Sequence, residues 1–265
     1  MRAIDPLPRV GAVSYLNTVP LVWGMLHGDE SQAVDLSFSI PSVCAEKVEQ
    51  GLIDIGLVPV AEIARQGLEI VPGVGITCLG AVRSILLFSR VPWPQVRTLA
   101  ADISSRTSVQ LARIILRERY GIEPEISPQQ PVLAEMLHVA DAALIIGDPA
   151  LRLRPEELPY EYLDLGAEWL ALTGLPMVFA AWAGKPGIAS SVLERITTAS
   201  YLFGKTRIDE IVEQEHAGRG IIRELAERYL RHHIRFELGT GELKGLEAFL
   251  DLAHLPARSF AQSTI

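Results

Sequence analysis

Val10-Gly-Ala-Val-Ser-Tyr-Leu-Asn-Thr-Val-Pro-Leu21 is the stretch on which the reading of the whole chain turns. Val10 to Val13 is an apolar run and predicts a short buried strand. It stops in a polar cluster, Ser14, Tyr15, Asn17 and Thr18, and a helical pattern begins near Pro20. Proline suits the first helical turn, where its missing N–H is not needed. A strand that opens into a polar turn and then a helix leaves backbone N–H groups free at the strand's carboxyl end, where open α/β sheets bind small anions. The same residues also suit a plain turn whose Ser and Asn side chains cap their own backbone. The first reading requires the rest of the chain to complete a pocket around this turn.

Working outward, the unit repeats. Val34 to Ile40 alternates as a strand does, and Pro41-Ser42 opens a helix to about Gln50, stopped by Gly51. Ile53 to Val58 is a continuous apolar strand, and Pro59-Val-Ala-Glu62 opens another helix. Alternation of this kind predicts a mostly parallel sheet. Arg83 to Ser89 is a strong strand, and Pro92-Trp-Pro94 resembles a linker. Thr98 to Asp102 feeds Ser104-Ser-Arg-Thr-Ser108 and a helix from Val109 to Tyr120 that ends at Gly121. Ala142 to Ile146 is a buried strand before Gly147-Asp-Pro149, and the uncharged Met177 to Trp182 is the strand of the return crossing. From Ile188 the pattern is helical, broken near Gly204, Gly218–Gly220 and Gly239–Gly241, with a tail over 253–265. The fold class is α/β with two lobes. Residues 1–90 and 181–265 form lobe one and 91–180 an inserted lobe two, with a ligand cleft between them. Hinges are expected at Phe88–Pro94 and Pro176–Ala181.

Bulk properties narrow the function. The 265 residues carry a net charge of −8, without the basic stripe a nucleic-acid protein needs. An anionic ligand must therefore be held by helix starts, hydroxyls or an arginine against the overall field. With 49% hydrophobic residues a real core is available, yet no apolar run is long enough to span a bilayer. The start of the sequence shows no secretory signal pattern. Cys44 and Cys78 are the only cysteines, too few for a disulfide framework or a Cys-x-x-Cys zinc site. These features together point to the cytoplasm, with no membrane or nucleic-acid partner. Nothing in the sequence sets an oligomeric state.

Ser104-Ser-Arg-Thr-Ser108 is the best anion site on physical grounds, because hydroxyls and free N–H groups at a helix start hold carboxylates. A plain capping run would read the same. His232-His233 would point about 100° apart on a helix, which does not suit a shared metal. Arg219, Arg223, Arg228, Arg231 and Arg235, interspersed with Glu224 and Glu227, read as a solvated helix face. Asp54 and Glu62 suit acid–base work, or a local polar contact and helix-dipole complementation respectively.

Six segments carry a family resemblance: Val13-Ser-Tyr-Leu-Asn-Thr-Val-Pro-Leu21, Asp54-Ile-Gly-Leu-Val-Pro-Val-Ala-Glu62, Ser104 to Ser108, Ile146-Gly-Asp-Pro-Ala150, Asp164-Leu-Gly-Ala-Glu-Trp169 and Thr173 to Trp182. In this order they resemble the chorismate dehydratases of the futalosine route to menaquinone, over about residues 9 to 185. The resemblance implies the two-lobed fold of type II periplasmic solute-binding proteins, adapted to catalysis. It implies that chorismate, a dicarboxylate, loses its C3 proton and C4 hydroxyl to give 3-[(1-carboxyvinyl)oxy]benzoate and water. That chemistry requires no cofactor and no metal. On this resemblance Asn17 and Ser84 act on the reacting ring, with Ser14, Tyr15 and Thr18 beside them. Ser104, Ser105, Arg106, Thr107 and Ser108 take one carboxylate, and Gly147, Asp148 and Thr173 complete the pocket. Two other functions fit the same fold: a non-catalytic binding protein for a small carboxylate, and the sister 1,4-dihydroxy-6-naphthoate synthase. The sister's first loop has a different, Ser-Pro-Cys-Pro-Asn-type sequence.

Overall fold

The opening apolar run forms β1 (Arg9–Val13), and the polar cluster makes one tight turn before α1 (Val19–His27), with Pro20 in its first turn. In this computed structural model, which describes residues 7–256, the pattern then repeats. β2 (Asp35–Ser39) leads to α2 (Pro41–Glu49), β3 (Ile55–Pro59) to α3 (Val60–Gln66), and β4 (Glu69–Cys78) follows. The next strands and helices are β5 (Ile85–Ser89), β6 (Thr98–Asp102), α4 (Thr107–Tyr120), β7 (Glu125–Gln129), α5 (Leu133–Val139), β8 (Ala142–Ile146), α6 (Gly147–Arg152), β9 (Glu161–Asp164) and α7 (Leu165–Thr173). β10 (Met177–Gly184) precedes the helical end: α8 (Ser191–Lys205), α9 (Ile208–Glu215), α10 (Arg223–Arg228), a π-helical turn over Tyr229–His233, β11 (Arg235–Glu237) and α11 (Thr240–Leu252). Among the described residues no helix is long and apolar enough to cross a membrane.

Two sheets result, in the orders β11-β4-β10-β3-β1-β2 and β7-β6-β8-β5-β9. They are less parallel than the alternation predicts. β1 runs parallel to β2 and β3, and β6 to β7 and β8. The first strand to enter each sheet from the other lobe runs antiparallel: β5 pairs so with β8 and β9, and β10 with β3 and β4. β11, a three-residue strand on β4, interrupts a region read as helical, because three residues are too few to show an alternating period.

Sheet membership also differs from the expected lobe boundaries. β5 lies in the second sheet, so the outward crossing is at 79–84 and not at Pro92–Pro94. The Pro-Trp-Pro segment is a tight turn that buries Trp93 beside Tyr120, a packed corner of the second lobe rather than a linker. All of β10 lies in the first sheet, so the return falls at 174–176. Tail residues 257–265 lie outside the described residues.

The crossing at 79–84 is held tightly. Arg83 adopts φ 64°, a left-handed conformation that costs a non-glycine residue of order 1 kcal/mol. Two sets of hydrogen bonds offset that cost. The Asp164 carboxylate accepts the N–H groups of Val82 (2.9 Å) and Arg83 (2.6 Å), together with those of Gly166 and Ala167 in the first turn of α7. The Arg83 guanidinium donates to the carbonyls of Ala150 (3.0 Å) and Leu153 (2.5 Å) at the end of α6. Asp164→Ala removes the helix cap and the crossing's anchor together. We expect a loss of about 2–3 kcal/mol, roughly 5–10 °C in Tm, measurable by thermal unfolding.

On the other side, α8 packs against α1, and the Ser200 hydroxyl donates to Leu21 O (2.8 Å) while accepting from Met25 N (3.0 Å). A packed helix therefore backs the turn that carries Tyr15 and Asn17. Trp23, Trp169 and Trp182 are wholly buried, in a core that runs through both lobes.

Candidate active site

The carboxyl ends of β1, β3 and β8 converge on a cleft between the lobes, about 590 Å³ including its open mouth. Tyr15, Asn17 and Thr18 line it from the first lobe, and Ser84, Gly147 and the segment Ser104–Ser108 from the second. Ser14 is exposed and absent from this lining; its hydroxyl lies 3.4 Å from Ser39 O.

Tyr15 reaches across the cleft to Ser104, with 2.9 Å between the two hydroxyl oxygens. The Ser104 hydroxyl donates to Asp102 Oδ1 at 2.7 Å, and the Ser104 N–H meets the same oxygen at 2.9 Å. Ser104 has one hydrogen and gives it to Asp102, so the Tyr15 phenol is the donor in the interlobe bond. Burial pushes the Tyr15 phenol up to about 12 and raises the Asp102 carboxyl above its ordinary range.

α4 begins at Thr107 rather than Val109, because Thr107 and Ser108 are buried in its first turn. No side chain caps this helix start. The Ser105 hydroxyl is buried there without a partner. Thr107 departs from its expected role: its hydroxyl donates to Phe179 O (3.1 Å) and accepts from Ala61 N (3.2 Å), joining the lobes. Arg106 is exposed at the rim, 3.9 Å from Glu62 and 4.0 Å from Glu46. Of the hydroxyls expected to hold an anion, those of Ser105 and Ser108 are left at the first turn of α4.

Ser84 is buried in the cleft wall, and Tyr229 in the π-helical turn donates to its hydroxyl at 2.8 Å. Burial drives the Tyr229 phenol far above its ordinary range, with hydrogen bonding to Ser84 and to the Asn17 amide acting the other way.

Gly147 has φ 65°, and a Cβ there would lie 2.7 Å from the Tyr15 ring. Asp148 does not line the cleft. Its carboxylate accepts Leu16 N–H (2.9 Å) and the Arg219 guanidinium (2.7 Å), which also donates to Ser14 O and Glu215. Arg219 is thus no part of a solvated helix face; it clasps the lobes together. Its position between Gly218 and Gly220, which has φ 65°, was the available signal, since that turn takes Arg219 off any helix. If the clasp contributes about 1.4 kcal/mol to closure, Arg219→Ala raises KM about tenfold with little change in kcat, as steady-state kinetics would show.

Thr173 also lies away from the cleft lining, its hydroxyl donating to Trp169 O (2.8 Å) and accepting from Leu175 N (3.1 Å) at the end of α7. Asp54 pairs with Arg9 (2.6 Å), which holds its carboxyl below the usual range, and Glu62 bonds Arg65 (2.7 Å). Both are engaged by local contacts. Tyr229 has no local signal in the sequence: it comes from a helical segment more than 140 residues after Ser84.

The chain resembles known proteins in both sequence and fold. The family described as menaquinone biosynthesis matches residues 8–255. The chorismate dehydratase of Thermus thermophilus is 30% identical over 208 residues, covering 72% of this chain and 76% of its own. That of Campylobacter jejuni is 25% identical over 248 residues, covering 91% and 95%. Among solved structures, protein AF1704 of Archaeoglobus fulgidus superposes with a TM-score of 0.76 at 15% identity, covering 95% of this chain and 98% of that one. The periplasmic aliphatic sulphonate binding protein of Escherichia coli does so at 0.64 and 15%, covering 94% and 86%. At such identities the structural likeness shows the fold alone, a periplasmic-binding-protein-like pair of lobes.

Proposed function

The chain belongs to the menaquinone-biosynthesis family, within which its curated relatives are chorismate dehydratases, and we propose that its cleft dehydrates chorismate by a substrate-assisted elimination. The observation that carries this reading is that one cleft joins an uncapped helix start bearing the Ser105 and Ser108 hydroxyls to the Asn17 amide and the Ser84 hydroxyl. A dicarboxylate with a ring between its charges fits that combination.

The ring carboxylate sits on the first turn of α4, where N–H groups and the partnerless Ser105 hydroxyl receive it. Asn17 and Ser84 then lie beside C4. The C3–H bond breaks as the substrate's own enolpyruvyl carboxylate takes the proton. The C4–O bond breaks as the hydroxyl departs, hydrogen-bonded by the Asn17 amide and the Ser84 hydroxyl. Proton and hydroxide leave as water, and the ring becomes aromatic. Aromatisation supplies driving force, so the protein's work is orientation and exclusion of bulk water. The arrangement favours this route: among the described residues no histidine or lysine lines the cleft, and Asn17 is an orienter rather than a Brønsted base.

We place the enzyme in the cytoplasm, on the grounds that Cys44 and Cys78 are buried free thiols. The deciding experiment incubates the purified chain with chorismate and follows the product by proton NMR. Appearance of the aromatic 3-[(1-carboxyvinyl)oxy]benzoate signals is expected; saturable binding without them would overturn the reading in favour of a receptor.

A further inference from the structure

The polarity of the Ser84 hydroxyl is set from behind. Tyr229 is fully buried and donates to Ser84 Oγ at 2.8 Å. The Ser84 N–H donates to Val82 O and the Ser84 carbonyl accepts from Gly147 N, so both backbone groups are engaged. A serine hydroxyl has one hydrogen. With one lone pair facing a buried phenol, that hydrogen is directed to the cleft, which Ser84 lines. Ser104, in the same cleft, is wired in the opposite sense: it donates to Asp102 and receives from Tyr15. The two serines therefore present different faces to a ligand, each fixed by its partners. Asn17, the other group assigned to the reacting ring, lines the same cleft.

We propose that Tyr229 is a positioning residue for the elimination: by donating to Ser84 it commits the Ser84 hydroxyl to donate to the departing C4 hydroxyl. This inference deepens the functional reading above and rests on it. A donor aimed in advance at a leaving oxygen needs no reorientation during the reaction. Without the phenol, the Ser84 hydroxyl is free to rotate among several acceptors, and the fraction of molecules aimed at C4 falls.

The test is a double-mutant cycle on chorismate turnover with Tyr229→Phe, Ser84→Ala and the double variant, each checked by thermal unfolding. Tyr229→Phe should lower kcat about tenfold with KM within about threefold, the signature of misaimed rather than lost binding groups. In the Ser84→Ala background the same change should have no further effect on kcat beyond about twofold. Wild-type kcat in Tyr229→Phe, or a full multiplicative loss in the double variant, overturns the inference. Those outcomes leave the role of Ser84 standing if Ser84→Ala is slow; a Ser84→Ala variant with wild-type kcat removes that role and this inference with it. Should Tyr229→Phe fail to fold, 3,5-difluorotyrosine at 229 preserves the packing. Its phenol ionises at lower pH, and as a phenolate it would accept from Ser84 and reverse the polarity. Asp148 and Cys78, the ionisable groups acting on Tyr229, are the same in both proteins. The substituted enzyme should therefore lose kcat on the alkaline side at a pH the wild type tolerates, and superimposable pH profiles would overturn the inference.

Discussion

Asn17→Ala is expected to lower kcat for chorismate dehydration by about 10²–10³-fold, with KM changing by less than about tenfold. Asn17 lies in the tight turn after β1, half-buried and lining the cleft. Its only hydrogen-bonding neighbour within its own segment is the Thr18 hydroxyl, 3.5 Å from Oδ1, a weak contact that leaves the amide available to a ligand. In the proposed mechanism the substrate is anchored elsewhere, through its carboxylates, so removing an amide that meets the leaving oxygen should affect the transition state more than the ground state. Steady-state kinetics with melting curves check this, because a variant that unfolds would lose kcat and Tm together. A kcat within a few-fold of wild type overturns the assigned role of Asn17.

Much of this site is legible in the amino-acid sequence. The strand–turn–helix at 10–21 and the hydroxyl-rich helix start at 104–108 are local features, written in adjacent residues. They fall on opposite sides of one cleft, as a two-lobed reading requires. What the sequence leaves hidden is non-local. Thr107 reads as one more hydroxyl of an anion site, yet it is engaged by Ala61 and Phe179 of the facing lobe. Asp148 reads as a pocket carboxylate, but Arg219, 71 residues away, turns it into a clasp. Tyr229 and Ser84 are 145 residues apart, and nothing near either announces the other. The outward crossing is placed too late for a different reason. Proline spacing suggests a linker at 92–94, whereas the true crossing is held by Asp164 reaching Val82 and Arg83 from 82 and 81 residues away. Local composition encodes elements and their ends; hydrogen-bond partners across lobes follow only from topology.

Gly147→Ala tests closure itself. Gly147 opens α6 at φ 65°, and its place against the Tyr15 ring leaves no room for a methyl group: the nearest ring carbons would lie 2.7–2.8 Å from the new Cβ. Tyr15 cannot retreat without breaking its bond to Ser104, one of the links that spans the cleft. The strain is relieved either by swinging Tyr15 out or by parting the lobes, and each widens the cleft and admits water. A displacement of about 1 Å in the reacting groups is enough to lower turnover about 10²-fold, and that is the expected fall in kcat/KM, with a larger radius of gyration in small-angle scattering on the product complex. The control is Gly121→Ala. Gly121 ends α4 with the same φ of 65° but has no atom within 4 Å of the added Cβ. Both variants carry the backbone strain of about 1 kcal/mol, and both should show a lower Tm. Only Gly147→Ala should lose activity, because only there does the methyl group meet the residue that closes the cleft. Equal activity in the two variants would mean that Tyr15 can move without consequence, and the Tyr15–Ser104 bond would then be no part of the working closed state.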